Sequence, residues 1–339
     1  MNQLKLLIVT LLFLALSGCF PSNNTTKQEV LLHGKTMGTT YNIKVIVDHN
    51  SVDTKYLQQH IDKSLKQLNQ EMSTYIADSE LSRFNSSTSL EPVEISKGLA
   101  RVISEAFRIG KISGGKLDVT VGPLVNLWGF GPEYRPETVP SDDEIAEARL
   151  RVGLEKLSLE GNLLSKSSPD LYVDLSTIAK GYGVDIVAEL IEQNGINDYL
   201  VEIGGEMRLK GFKHTGELWH VAIEKPVSTD RVVQQIIVPK NNAVATSGDY
   251  RNYYEVDGKR FSHIIDPDTG KPINHKLVSI TVIHPSSMTA DGLSTAMMVM
   301  GEEKALAFAE QHELAVYMIL KTESGFVEQS TVKFMQYLK

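Results

Sequence analysis

The chain has 339 residues, with 34 Lys and Arg against 42 Asp and Glu, a formal net charge of -8 and a single cysteine. An acidic chain without a Lys/Arg-rich block excludes nucleic acid as the main partner and excludes attachment through a polybasic surface. One thiol leaves no internal disulfide, so packing alone must hold the fold, and the length allows one large domain or two moderate ones.

The first element is Lys5 followed by the 11-residue apolar run 6–16, too short to cross a hydrocarbon core of ~30 Å and suited to a secretory leader. Ser17-Gly18-Cys19 behind it resembles the bacterial lipobox, in which the cysteine is acylated and becomes the new N-terminus; the alternative is a chance buried thiol behind an ordinary signal peptide. Residues 1–18 are therefore expected to be a lipoprotein signal peptide, 19–29 a flexible tether after lipidated Cys19, and 30–339 the folded part, whole or as two subdomains. Tyr41, Ile43, Val45 and Val47 alternate along a half-buried strand at 40–47. Leu57, Ile61, Leu65, Leu68 and Met72 give an amphipathic helix behind a cap at Asp53. A second helix spans 98–111, and a third starts at Ser141, where Glu144 completes a capping box.

Between those two helices, residues 122–140 read as a Gly- and Pro-rich loop, functional or mobile. Strands are expected at 156–159 and from Leu163 across Gly161-Asn162, and an extended stretch at 171–174 leads into a helix at 177–194 stopped by Gly195. Further strands fall at 199–203, 219–224 and 235–238, and Asp257-Gly258 signals a type I′ turn joining 252–256 to 259–265. Helices at 291–300 and 302–312 and strands at 314–320 and 331–337 close the chain. Elements interleave without a βαβ repeat and several hairpins are antiparallel, which predicts an α+β fold with mixed, largely antiparallel sheets and packed helices.

Two nucleotide motifs fail. Gly110 to Leu117 has the glycines and lysine of a phosphate loop, but Leu117 replaces the metal-binding hydroxyl and a helix precedes it. Gly181-Tyr182-Gly183 lacks the third glycine of a dinucleotide fingerprint, where Ile186 stands. Other clusters carry chemistry more readily. Asp291 and Thr295 stand four apart on one helix face and could share a hard cation, or Asp291 could simply cap that helix. The run from Asp174 to Gly181 takes an extended segment into a helix start, a seat for phosphate beside Lys180, or else Asp174 is a plain cap. His263 sits at a strand end before a Pro/Gly turn, where a lone histidine is structural or catalytic.

The ordered segments Gly34 to Thr39, Met72 to Tyr75, Ser79 to Asn85, Asp118 to Leu124, Asp174 to Gly181, Glu202 to Gly205, Ser247 to Tyr250, His263 to Gly270 and Asp291 to Ala296 resemble one family, the FAD:protein FMN transferases or ApbE family. The resemblance implies an active site in a cleft and an enzyme that splits FAD, moves FMN onto a threonine hydroxyl of another protein and releases AMP. It implies that Met37, Tyr75, Lys116, Leu117, Asp118, Asp174, Lys180 and Ile265 line the FAD site. It also implies Mg²⁺ held by Thr177 through its carbonyl, or that of Ala179, with Asp291 and Thr295, and Ser294 assisting. His263 is the candidate general base, its ordinary pKa of ~6.5 suiting proton acceptance near neutrality. An aromatic at Tyr75 goes with transfer in that family and a small polar residue with hydrolysis; Ser176-Thr177 departs from the glycines of many relatives. The implied acceptors are subunits of membrane redox complexes of the sodium-translocating NADH:quinone reductase type or related, and the implied place is the periplasmic side of the bacterial inner membrane. An FAD pyrophosphatase yielding free FMN and AMP, and a lipoprotein that only binds flavin, are the competing readings.

Overall fold

The computed structural model describes residues 27–49, 52–132, 138–227 and 232–339. The expected signal peptide, Cys19 and the expected tether up to residue 26 lie outside the described residues. Strand β1 (Lys27–Thr36) begins three residues inside the stretch expected as tether, because Lys27 pairs with Asp198 at 2.6 Å and each residue of β1 has a partner on β2 (Thr39–Asp48).

Helix α1 (Thr54–Met72) follows, and Asp53 caps it by accepting from the Tyr56 N-H. Then come α2 (Glu80–Ser86), β3 (Val93–Glu94) and α3 (Lys97–Ile112). The segment expected as loop opens with a short helix, α4 (Gly122–Leu127), because Pro123 presets the first turn. Helix α5 (Asp142–Arg149) has the expected reciprocal capping box of Ser141 and Glu144. Strands β4 (Leu157–Glu160) and β5 (Leu163–Lys166) pair as a hairpin. Residues 171–174 form no strand, and the next helix, α6 (Ala179–Gln193), starts two residues later than its pattern predicts, after a turn in which Ile178 and Ala179 both donate to the Leu175 carbonyl.

The remaining strands are β6 (Tyr199–Ile203), β7 (Glu206–Lys210), β8 (Val221–Glu224), β9 (Val233–Ile237), β10 (Ala243–Gly248), β11 (Tyr253–Val256), β12 (Lys259–Ser262), β13 (Ile265–Asp266), β14 (Lys271–Pro272), β15 (Leu277–His284), β16 (Ala315–Thr322) and β17 (Gly325–Ser330). Asp257 and Gly258 both have positive φ, 51° and 72°, as a type I′ turn between β11 and β12 requires. Helices α7 (Ser287–Met300) and α8 (Glu302–Gln311) separate β15 from β16. Residues 332–337, expected as a strand, form a 3-10 helix that buries Phe334 against Tyr317, while the strand pairing with β16 lies just before it.

Eight strands form one wholly antiparallel sheet in the order β1-β2-β6-β7-β10-β15-β16-β17. One face carries α1, α3, α6 and α7: Ile43, Tyr199 and Val201 pack with Leu57, Ile61 and Val187, and Ile280 and Val282 pack with Leu293 and Met297. The other face is covered by the β8–β9 hairpin and the C-terminal 3-10 turn, where Ile283 and Ile319 meet Trp219, Ile237 and Phe334. Burial on both faces explains why β15 has no alternation for a pattern search to find. The architecture is α+β, as expected.

Candidate active site

A cleft of about 350 Å³ opens beside the C-terminal end of β10, between α6, α7 and the loops around Asp118 and His263. Tyr75, Lys116, Leu117, Asp118, Asp174, Thr177, Lys180, His263, Ile265, Asp291 and Thr295 all line it, drawn from segments more than 200 residues apart in sequence. Met37 does not. With φ of 49° it sits in the left-handed turn joining β1 to β2, and its Sδ-methyl packs over Gly183 of α6.

The deepest part lies where α6 meets α7. Gly181 lets the helices touch: a Cβ there would stand 2.3 Å from the Ser287 carbonyl oxygen and 2.7 Å from the Asp291 Cβ. At that contact the Gly181 N-H donates to Asp291 Oδ2 at 2.9 Å. Asp185, one turn further along α6, holds the start of α7: its carboxylate accepts from the Ser286 hydroxyl at 2.7 Å and from the Ser287 and Met288 N-H groups at 3.0 Å each, and pairs with Arg208. Ser286 supplies the side-chain cap of α7, so Asp291 is not a cap and its side chain belongs to the cleft. Ser247 on β10 joins the same floor through Ser294 at 2.8 Å and Thr295 at 3.3 Å.

Lys180 Nζ lies 2.5 Å from Glu206 Oε1, with a third of its side chain facing the cleft. Burial opposes its charge, but Glu206 and Asp291 outweigh that and hold the ammonium above its ordinary range. Asp291 is almost fully buried, and its pKa is pushed up to about 7 by desolvation, which Lys180 only partly offsets and Glu206 reinforces. Two carboxylates thus face one ammonium. Glu206 Oε2 and Thr177 Oγ1 are buried and lack hydrogen-bond partners among the described residues. A net negative pocket of hard oxygen donors with buried, unsatisfied atoms fits a hard divalent cation such as Mg²⁺. Thr177 lines the cleft and Ala179 does not. At the start of α6 the Ala179 N-H is spent on the Leu175 carbonyl and the Gly181 N-H on Asp291, and the Lys180 side chain brings a formal positive charge to the same place.

His263 faces this group across the cleft. Its Nδ1 lies 3.0 Å from the Asn252 carbonyl oxygen, a bond that forms only with Nδ1-H donating, which leaves the Nε2 lone pair free. Phe130 meets the imidazole edge-on, at the end of a run of stacked rings through Tyr254 and Phe261 to Trp128. Burial, with the nearby charge of Lys180, lowers the His263 pKa below 6.5 and keeps the ring neutral. Lys116 donates to Asp266 at 2.9 Å and Asp268 at 2.7 Å, tying the turn after β13 to the cleft wall. Asp118 accepts from the Thr120 N-H and hydroxyl, and burial raises its pKa. Asp174 is no helix cap either: its Oδ1 accepts from the Ser176 N-H in a local turn. Tyr75, 72% exposed, stands at the mouth.

Sequence reasoning missed Glu206, Asn252 and Phe130. Glu206 had a signal: a carboxylate directly after Gly204-Gly205, both at positive φ, where a tight turn throws the first residue of β7 back under α6. Among the described residues no three His, Cys, Asp or Glu side chains cluster as a metal site, and no helix is long and apolar enough to cross a membrane.

The family model described as the ApbE family matches residues 37–318. A protein of Vibrio cholerae serotype O1 named FAD:protein FMN transferase is 55% identical over 325 residues, covering 96% of each chain. A solved structure of the flavin transferase ApbE from Vibrio cholerae superposes with a TM-score of 0.87 at 55% identity, covering 92% of this chain and 100% of that one. The apo structure of the Pseudomonas stutzeri flavinyl transferase ApbE gives 0.86 at 39% identity, over 92% and 97%.

Proposed function

The chain belongs to the ApbE family and is an FAD:protein FMN transferase, and on that premise we propose that the acceptor atom is a threonine hydroxyl, that Mg²⁺ assists, and that His263 is the base. The observation that carries this reading is the imidazole pinned at Nδ1 by Asn252 with Nε2 free, in the same cleft as the Lys180, Glu206 and Asp291 group.

The hydroxyl proton passes to His263 Nε2 as the oxygen forms its bond to the FMN phosphorus, and the bond from that phosphorus to the AMP oxygen breaks. A hydroxyl is a weak nucleophile at neutral pH, so a neutral imidazole within reach is what the step lacks without the protein. Lys180 sits where the pyrophosphate charge must be borne. Asp291, Thr295 and the Thr177 carbonyl would hold Mg²⁺, with Ser294 bracing the helix turn between them; the ion, when bound, supplies positive charge to the phosphate oxygens and the departing AMP. Tyr75 at the mouth offers its ring to the flavin. Cys19 carries the lipid that keeps the enzyme on the periplasmic side of the inner membrane, beside acceptors of the sodium-translocating NADH:quinone reductase type.

The test is incubation with FAD and Mg²⁺, with and without an acceptor fragment, read by flavin fluorescence in a denaturing gel. Covalent fluorescence on the acceptor, lost when its threonine is replaced by alanine, is expected. Rapid FMN release without acceptor points to a pyrophosphatase, and binding of FAD with neither product leaves a flavin-binding protein.

A further inference from the structure

Helix α2 lies away from the reacting groups, yet it joins two parts of the cleft wall. At its start, the hydroxyls of Ser79 and Ser82 both donate to the Ser73 carbonyl, at 2.6 and 3.1 Å, and the Tyr75 N-H donates back to Ser73 Oγ at 3.1 Å. At its end, the Asn85 side chain pairs with the backbone of Val173 in both directions, Nδ2 donating to the carbonyl oxygen and the Val173 N-H donating to Oδ1, each at 2.8 Å. One side-chain amide thus replaces a neighbouring strand for a segment that has none. Asp174 comes next, its N-H bonded to the Val119 carbonyl at 2.7 Å and its carboxylate closing the turn that leads to Thr177. Leu81 and Phe84 sink the helix into the core, and Lys166, over the Phe84 ring, donates to the Phe84 carbonyl at 3.2 Å.

We propose that Asn85 is a positioning residue for the transfer reaction: through Val173 it sets Asp174 and the turn to Thr177 at a fixed distance from Tyr75, with α2 as the spacer. Asn85 touches no part of the cleft itself. An asparagine suits the task because it alone, at this length, offers one donor and one acceptor side by side in the geometry of a peptide group.

Hydrogen exchange on the full folded chain tests the positioning without any substrate. In Asn85→Ala the amides of 173–176 should exchange about tenfold faster, while those of α3 keep their protection. Asn85→Asp, which keeps the acceptor for the Val173 N-H and loses the donor, should fall between the two, and it serves if the alanine variant does not fold. FAD titration, which rests on the flavin-transferase reading, supplies the consequence: affinity about tenfold weaker in Asn85→Ala, and no further loss when Asn85→Ala is added to Asp174→Ala. Unchanged exchange at 173–176, or losses that simply add in the double variant, overturns the proposal. Failure of the unaltered chain to bind FAD counts against the flavin reading, and the exchange result still decides the role of Asn85.

Discussion

Replacing Gly181 by alanine puts the contact between α6 and α7 to a quantitative test. The new methyl would lie 2.3 Å from the Ser287 carbonyl and 2.7 Å from the Asp291 Cβ, so one helix must move. Overpacking of this kind costs about 1–3 kcal/mol, and parting the helices weakens the N-H bond to the Asp291 carboxylate, worth about 1.5–3 kcal/mol. Alanine recovers about 1 kcal/mol of helix propensity. The expected net loss is about 1.5–5 kcal/mol, with transfer reduced at least tenfold because Asp291 is displaced. Gly183, two residues on, is the internal control: a Cβ there meets side-chain ends, Ile203 and Met37 at 3.4 Å and Leu68 at 3.6 Å. Gly183→Ala should leave stability within about 1 kcal/mol of the parent. Urea denaturation followed by circular dichroism measures both. Equal midpoints for the two variants, within about 0.5 kcal/mol, would refute the reasoning.

Replacing His263 by alanine should lower transfer about 10²- to 10⁴-fold while the protein folds normally, checked by in-gel flavin fluorescence against denaturation midpoints. Because the His263 pKa lies below 6.5, the transfer rate should rise with pH to a midpoint below that value and stay level above it; the unfolded chain takes up a proton that the folded chain refuses, so this group's contribution to stability is lost as pH falls through 6.5. Asp291 works in the opposite sense. Without a divalent cation its pKa of about 7 makes the folded chain bind the extra proton, so its contribution is lost as pH rises from about 4 to 7. Addition of Mg²⁺ should therefore raise the melting temperature more at pH 8 than at pH 5.5, and Asp291→Asn should abolish that difference. Cys19→Ala should move the protein from the membrane to the soluble fraction without changing its rate on a soluble acceptor fragment.

What the sequence disclosed was local. The helix cap at Asp53, the capping box at Ser141 and the I′ turn at Asp257-Gly258 are settled within four residues, and all three stand in the structure. Segment 331–337 misled because its apolar residues serve a 3-10 turn over Tyr317, a contact no short window contains. The same holds for the site. Asp291 and Thr295 were visible as neighbours on one helix, but Glu206 reaches Lys180 across 26 residues and Asp185 reaches α7 across about 100, so neither pairing leaves a periodic trace. Met37 shows the converse: its segment matched a motif, yet the left-handed turn points the side chain into the packing beneath α6.

The run of stacked rings ending at His263 begins with Trp128, one of two tryptophans in the chain. The other, Trp219, lies buried on the opposite face of the sheet. The molecule therefore carries its own pair of optical reporters, one wired by contact to the catalytic wall and one screened from it by the sheet. A flavin entering the cleft should quench the emission of Trp128 more than that of Trp219, so single-tryptophan variants allow substrate arrival to be timed separately from the appearance of covalent product.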